Sequence, residues 1–263
     1  DSEALPEDAA AERQLFLSHG VRSLLDVAMF WKGSLFGLWG FSTIREARRW
    51  SSEDIDMVKF LGEILVAAFR RCQAEDAMLR RIELEALVAS LSSSFLNVSS
   101  GELDAAFERA LGSIGDFAGV DRCGLRFFSQ DGGSTEKAWE WCAPGVKSIM
   151  DYDTQIKPND WPSFIQRFVD TDIVMEADIE ALPPEAEQEK KLLRAVGIRS
   201  FATVPLIWKG NPFGLLSFNS TRPRRAWQED DINILRLAGE IFANAYHQAR
   251  DEEELLLQKA RLE

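Results

Sequence analysis

The spacing of apolar residues predicts an amphipathic helix over residues 102–117, because one apolar stripe recurs there every three or four positions. The stripe consists of Leu103, Phe107, Ala110, Leu111, Ile114 and Phe117. Residues 123–129 and 137–142 are short runs rich in Phe and Trp, separated by Gln130-Asp131-Gly132-Gly133, which predicts an antiparallel hairpin. We expect the helix to pack on this hairpin.

A second hairpin is predicted over residues 200–208 and 213–219, with its turn at residues 209–212. The stretch between the two hairpins is read as a loop over 143–162, a short helix near 163–169, a strand near 173–176 and a helix over 184–196. After Trp227, acidic residues and a new apolar seam predict another helix. Since irregular segments over a rigid sheet carry most binding sites, we expect specificity to reside between the hairpins.

The chain repeats itself at a separation of 177 residues. This shift aligns residues 1–86 with residues 178–263 without a gap, and about 30 of the 86 pairs are identical. The richest match pairs Trp31-Lys32-Gly33 and Phe36-Gly37-Leu38 with Trp208-Lys209-Gly210 and Phe213-Gly214-Leu215. The chain therefore holds one and a half repeats, and we expect the first unit to lack its amino-terminal half. The alternative is that strands from another chain complete its sheet.

The first unit also enters a helix near Glu53, and its apolar seam continues to about Asn97, far beyond the length of an ordinary globular helix. Such a helix is typical of the spine of a parallel homodimer, although Glu75 interrupts the seam. We predict four segments: 1–71 as the carboxy-terminal half of a first domain, 72–97 as a linker helix, 98–249 as a complete second domain, and 250–263 as the start of a helix toward an output domain.

The order of elements in one unit resembles the GAF domain family. The stretches that carry the resemblance are residues 139–146, the Leu-Pro-Pro-Glu-Ala run from Leu182, Gly197-Ile198-Arg199-Ser200, and Phe213-Gly214-Leu215 ahead of residues 222–227. The resemblance implies an α+β fold with an antiparallel sheet of about six strands, flanked by helices, and with long connecting helices. It also implies a sensory module of the kind found ahead of bacterial histidine kinases and diguanylate cyclases.

Two branches of the family are disfavoured by the sequence. The branch that binds cyclic nucleotides carries an Asn-Lys-Phe-Asp-Glu signature, whereas this chain has Asn219, Arg222, Trp227, Glu229 and Asp230 in the comparable region. The branch that binds bilins attaches its pigment through a Cys beside a His, and neither His19 nor His247 has a Cys neighbour. We therefore expect no bilin cofactor, and the identity of any other ligand stays open.

The formal net charge of −13 excludes nucleic acid as an expected partner, because nucleic-acid binders present clustered Lys and Arg. The sequence lacks an apolar run long enough to cross a bilayer and an amino-terminal secretion signal, so we expect a cytoplasmic protein. We interpret the three cysteines as reduced thiols. His19 aligns with Val196 and His247 with Arg70, so we expect neither a metal site nor a catalytic centre in this chain.

The candidate ligand contacts are Trp139, Trp141, Trp161, Arg126 and Arg199. Aromatic walls with a few polar groups are typical of small-molecule sites, and an arginine can pair with an anionic ligand. Core packing and plain salt bridges are the competing roles. The leading interpretation is a sensory domain that relays a ligand signal through paired helices, and the alternative is a dimerisation and spacer module without a ligand.

Overall fold

A computed structural model describes residues 5, 7–96, 98–129, 134–150, 167, 171–222 and 225–262. The chain divides into two compact units, Asp1–Ile82 and Glu83–Glu263, and the division falls within one long helix. Residues 130–133 and most of residues 151–170, which include the predicted first hairpin turn and the short helix near 163–169, lie outside the described residues.

Unit 1 consists of helix α1 (Ala10–Ser18), strands β1 (Ser23–Trp31) and β2 (Ser34–Thr43), and the first part of helix α2 (Ser52–Phe95). The two strands form an antiparallel hairpin. Its turn is Lys32-Gly33, and both residues have positive φ, as a two-residue turn matched to the twist of the strands requires. At 44 residues, α2 confirms the long helix that the apolar seam predicts.

Within the described residues, unit 2 contains the end of α2 and the later α-helices and strands. These are α3 (Leu103–Ala118), β3 (Arg122–Phe128), β4 (Thr135–Cys142), β5 (Val174–Glu176), α4 (Glu187–Ala195), β6 (Ser200–Trp208), β7 (Asn211–Ser220) and α5 (Glu229–Leu262). The strands form one sheet in the order β4-β3-β7-β6-β5, with every neighbouring pair antiparallel. The α+β fold and both hairpins are thus confirmed, with five strands in the described part of this sheet.

The main core of unit 2 lies between one face of the sheet and helices α3 and α5. Alternate residues Cys123, Leu125 and Phe127 of β3 point into it and are fully buried. Phe107 of α3 lies at the centre, with ring centroids 5.3 Å from Phe242 and 4.9 Å from Trp139. Burial of these large rings supplies much of the hydrophobic stabilisation of the unit.

A second, smaller core lies beside strands β5 and β6 and joins α4 and its flanking turns to the sheet. Its buried members are Ile149, Val174, Ile179, Leu182, Ala186, Leu193, Ile198 and Phe201. The segment between the hairpins is therefore anchored by apolar contacts at its carboxy-terminal part.

The internal repeat extends to the structure. Shifting α1, β1 and β2 by 177 residues gives the bounds of α4, β6 and β7, and the same shift takes the first residue of α2 to that of α5. Side-chain contacts repeat as well, since Arg48 lies over Trp50 as Arg225 lies over Trp227, with 4.7 Å to the ring centroid in each case. Trp31 and Trp208 end equivalent strands, which agrees with structural roles for the repeated tryptophans.

Candidate functional site

The sheet of unit 2 has a second face, opposite α3 and α5, and the strand register places side chains on it in rows. One row runs Glu140, Gly124, Ser217 and Thr203, and a neighbouring row runs Ala138, Arg126, Leu215 and Pro205. These positions alternate with the core residues along each strand. Their mixed charged, hydroxyl and small side chains contrast with the aromatic core on the other face.

Arg126 is the charged centre of this face and is only 8% exposed. Burial lowers the pKa of its guanidinium, while the nearby carboxylate of Glu140 raises it partly back. Arginine stays protonated even so, which places a buried positive charge on the sheet. Within the described residues Arg126 has no ion pair closer than 4.0 Å.

Glu140 is turned toward the loop that follows β4. Its Oε2 accepts hydrogen bonds from Ser148 Oγ at 2.5 Å and from the backbone N–H of Ile149 at 3.0 Å. The carboxylate therefore fixes the start of the segment between the hairpins and leaves the charge of Arg126 only partly compensated. A buried cation of this kind is costly without a partner, and an anionic ligand would supply one.

Arg122 ties the same face to both ends of the intervening segment. It is 4% exposed, and it donates from Nε to the carbonyl oxygen of Lys147 at 2.8 Å and from Nη1 to that of Val196 at 2.9 Å. The neighbouring thiol of Cys142 has its pKa raised to about 11, by burial first and then by Glu140. Cys142 is therefore a protonated thiol at neutral pH and a weak nucleophile.

Asp121, just before β3, accepts a dense set of hydrogen bonds at the end of β7. Its carboxylate is bound by Ser220 Oγ, by the N–H and hydroxyl of Thr221, and by Arg222 Nη2 at 2.9 Å. Burial alone would raise the pKa of Asp121, but these hydrogen bonds outweigh it and lower the pKa to about 2. This cluster is a clamp between the two central strands.

The structure brings Trp139 and Trp141 to one face of β4, as strand alternation predicts, but that face is the core. Trp139 is 7% exposed and packs against Phe107 and Phe127. The indole of Trp141 lies against Gly112 and Gly115 of α3. Both side chains are thus on the opposite side of the sheet from Arg126, and their placement favours packing over ligand contact.

Gly115 makes this packing of Trp141 testable. A methyl group on Gly115 would overlap Cε3 and Cζ3 of the indole, whereas one on Gly112 would lie 3.2 Å from Cδ1. We expect Gly115→Ala to destabilise unit 2 by about 2 kcal/mol, despite the better helix propensity of alanine, and Gly112→Ala to cost less than about 1 kcal/mol. Urea unfolding measures both, and Trp141→Leu should remove the cost of Gly115→Ala. An equal cost with and without the indole would contradict this packing.

Of the other candidates, Arg199 is exposed and directly precedes β6. The pKa of Glu180 is lowered first by its hydrogen bond from Arg194, and the charge of Arg199 adds to this effect. The backbone N–H of Arg199 donates to the carbonyl oxygen of Ser220 at 2.8 Å, so the residue extends the pairing of β6 with β7. Trp161 lies outside the described residues. The structure therefore retains Arg126 alone of the five candidates as a described, buried group on the second face.

The sequence reasoning missed Glu140, Arg122 and Ser217. Glu140 carries a readable signal, because it alternates with Trp139 and Trp141 in a strand and so faces the other way. Arg122 shows no such signal, since its partners Lys147 and Val196 are 25 and 74 residues away. Its role depends on how the intervening segment folds back.

His247 lies outside this face. Its ring stacks on Trp208 at 4.1 Å, and burial lowers its pKa. In unit 1 the equivalent Arg70 lies over the equivalent Trp31 at 5.0 Å. The repeated contact of these side chains with Trp indicates a packing role for His247.

The described residues contain no group of three or more His, Cys, Asp or Glu that could hold a metal ion. None of the described helices combines the length and the apolar character needed to span a membrane.

The GAF domain family model matches residues 102–246, more than half of the chain. The chain therefore belongs to the GAF domain family, and the matched region is the sheet of unit 2 with α3, α4 and about the first half of α5. GAF domains are sensory modules rather than catalytic ones, which agrees with the interpretation of a signalling role. The search of curated proteins gave no match.

Solved structures share the fold at low identity. The far-red absorbing dark state of JSC1_58120g3 with bound biliverdin IXa is 18% identical, with a TM-score of 0.51, and the match covers 62% of this chain and 99% of that one. The phycocyanobilin-bound GAF domain from a cyanobacterial phytochrome is 17% identical, with a TM-score of 0.50 and coverages of 66% and 96%. The chromophore-binding domain of the bacteriophytochrome RpBphP3 from R. palustris is 13% identical, with a TM-score of 0.52 and coverages of 68% and 64%.

These neighbours overturn the expectation of no bilin cofactor, since GAF domains with this fold hold biliverdin and phycocyanobilin. The error lay in treating one mode of attachment as the test for a ligand class. A missing Cys-His pair argues against that covalent link, but it says nothing about a pigment held by hydrogen bonds and ion pairs on the sheet.

Proposed function

We propose that unit 2 is a small-molecule sensory domain, within a cytoplasmic signalling protein, whose ligand binds on the sheet face that carries Arg126. The buried and only partly compensated charge of Arg126 is the observation that carries this proposal. The ligand class it favours is an organic anion. Biliverdin is the first compound to test, because its propionate groups are anionic and because a fold neighbour binds it.

The proposed output is a change in α5. The amino-terminal part of α5 packs on the other face of the same sheet through Leu235, Phe242 and Tyr246, and the helix continues to Leu262. A ligand that binds two states of the domain with different affinity can shift their populations by the free energy of that difference, typically about 1 to 3 kcal/mol. We propose that paired helices in a homodimer carry the shift to a kinase or cyclase output domain.

The alternative function is a dimerisation and spacer module without a ligand. Its support is the placement of Trp139 and Trp141, which fill the core instead of lining the second face. Native mass spectrometry of the chain purified from cells, before and after addition of biliverdin, separates the two functions. A dimer that retains a small molecule supports the sensor, and a dimer that binds neither a cellular compound nor biliverdin supports the spacer.

Arg126→Met tests the site directly. We expect the substitution to weaken biliverdin binding at least about 30-fold, because an anion would lose its buried cation. Without ligand, the variant should be as stable as the wild type or more stable, since an incompletely paired charge is removed from the interior. Fluorescence titration and thermal unfolding measure the two effects.

The matched control is Arg109→Met, which removes an exposed arginine of α3. It should change neither affinity nor stability measurably. If Arg126→Met and Arg109→Met bind biliverdin equally well, the ligand does not bind at Arg126. If Arg126→Met unfolds the domain, the arginine has a structural role that the hydrogen bonds of this face do not explain.

A further inference from the structure

Unit 1 exposes apolar side chains whose repeat counterparts are buried in unit 2. Phe41 is 38% exposed and Phe218 is 0% exposed, although both occupy the same position in equivalent strands. On the equivalent helices, Leu65 and Phe69 are 43% and 50% exposed, against 0% for Phe242 and 5% for Tyr246. The counterparts belong to one core cluster in unit 2, so these exposed side chains mark a candidate interaction site.

The repeat identifies what covers this surface in unit 2. Phe242 packs against Phe107 of α3 at 5.3 Å, and Tyr246 packs against Phe127 of β3 at 4.0 Å. Strand β7 also pairs with β3 over residues 214–219, which correspond to residues 37–42 of β2. In the described part of unit 1, β2 pairs with β1 alone, so its outer edge is open to a further strand.

The charged residues of unit 1 also match the segment that covers this surface in unit 2. In unit 2, Arg222 pairs with Asp121 at 2.9 Å, and Arg225 donates to the carbonyl oxygens of Ala118 and Gly119 at the end of α3. Unit 1 retains both cations as Arg45 and Arg48. Arg48 pairs with Asp54 at 2.8 Å, as Arg225 pairs with the equivalent Asp231. Arg45 is exposed and has no ion pair among the described residues of unit 1.

We propose that this surface of unit 1, formed by the edge of β2, Phe41, Leu65, Phe69 and Arg45, is the docking surface for the amino-terminal half of a GAF domain. The occupant is an amphipathic helix followed by an antiparallel hairpin, with a carboxylate just before its first strand. It is joined ahead of β1 in the same polypeptide, as residues 98–177 are joined ahead of the equivalent part of unit 2. The carbonyl oxygens at the end of its helix accept hydrogen bonds from Arg48, its carboxylate forms an ion pair with Arg45, and its first strand pairs with β2.

A fusion tests this proposal because the chain contains a segment of the required chemistry. Residues 98–177 are placed directly before Asp1 of the full chain, so that the new junction Ala177–Asp1 reproduces the natural Ala177–Asp178. We expect the backbone amides of residues 37–42 to exchange at least about 100-fold more slowly in the fusion than in the unfused chain. Hydrogen exchange mass spectrometry measures both, with the amides of β7 as the internal reference.

The control fusion carries Phe107→Asp and Asp121→Ala in the added segment only, and it should lose the protection of β2 while β7 stays protected. Arg45→Ala should lower the protection of β2 in the intact fusion and leave the unfused chain unchanged. Equal exchange of β2 with and without the added segment, with β7 protected in both, overturns the proposal. Protection in the unfused chain that rises with protein concentration overturns it too, because the occupant is then a second copy.

Thermal unfolding gives a second measurement that does not depend on exchange. Phe41→Ala should lower the midpoint for unit 1 by several degrees in the fusion, where the ring is covered, and by less than half as much in the unfused chain. An equal shift in both proteins would show that the added half does not cover Phe41.

Discussion

Phe218→Ala is expected to destabilise unit 2 by about 3 to 5 kcal/mol, whereas the same substitution at the equivalent Phe41 of unit 1 should cost less than about 1 kcal/mol. Phe218 is fully buried between the central strands and the helices, and its deletion leaves a cavity that the sheet cannot close. Phe41 is 38% exposed, so its deletion removes less buried apolar surface. The two residues share a strand position and a side chain, and they differ in what surrounds them.

Native-state hydrogen exchange resolves the two units within one chain and gives the free energy of opening for β7 and for β2 separately. Phe213→Ala, at a half-buried position of β7, serves as an intermediate case within unit 2. A cost at Phe41 equal to that at Phe218 would mean that unit 1 is already covered in solution by another molecule. A small cost at Phe218 would contradict the core as described.

Much of the fold could be predicted because it depends on local spacing. The stripe on α3, the two hairpins and the long α2 each follow from periodicity over a few residues, and the repeat fixes the order of the elements. The repeat also assigns structural roles, since Trp31 and Trp208, like Trp50 and Trp227, occupy equivalent positions. A catalytic or binding residue of one unit has no reason to recur in this way.

The candidate site was harder to predict because it depends on which face of a strand meets the helices. Trp139 and Trp141 were expected to line a ligand site, and the register pairs them with Leu125 and Cys123 in the core. A shift of β4 by one residue relative to β3 would have turned both indoles to the opposite face of the sheet, where Arg126 lies. The sequence between the two strands, Gln130-Asp131-Gly132-Gly133, suits several loop geometries, so it does not fix this register.

Contacts that span most of the domain leave no local signal. Asp121 and Arg222 are 101 residues apart, yet they form the clamp between β3 and β7. An isolated acidic residue before a strand reads as part of a solvated loop, and the composition of this chain, with 43 Asp and Glu, offers many such residues. The pKa of Asp121 is lowered by groups that only folding brings close, and its neighbours in the sequence do not indicate it.

Asp121→Asn is expected to destabilise unit 2 by about 2 kcal/mol at pH 7, because the amide keeps the shape of the carboxylate and loses its charge. Folding lowers the pKa of Asp121 from 3.8 to about 2, so the folded state binds this proton more weakly than the unfolded state does. The stabilisation by this carboxylate is therefore complete above about pH 5, declines as the pH falls below about 4, and is lost near pH 2.

The measurement is urea unfolding of the wild type and of Asp121→Asn at a series of pH values from 7 down to 2. The difference between the two free energies of unfolding should be constant down to about pH 5 and should then shrink toward zero. Asp104→Asn is the matched control, because Asp104 pairs with Lys137 at 3.5 Å on the surface, where both side chains are about half exposed or more. Such exposed pairs contribute little, so the control should follow the wild type at every pH. A difference for Asp121→Asn that persists unchanged at pH 2 would show that the lost stability comes from shape or hydrogen-bond geometry and that the charge of the clamp has no part in it.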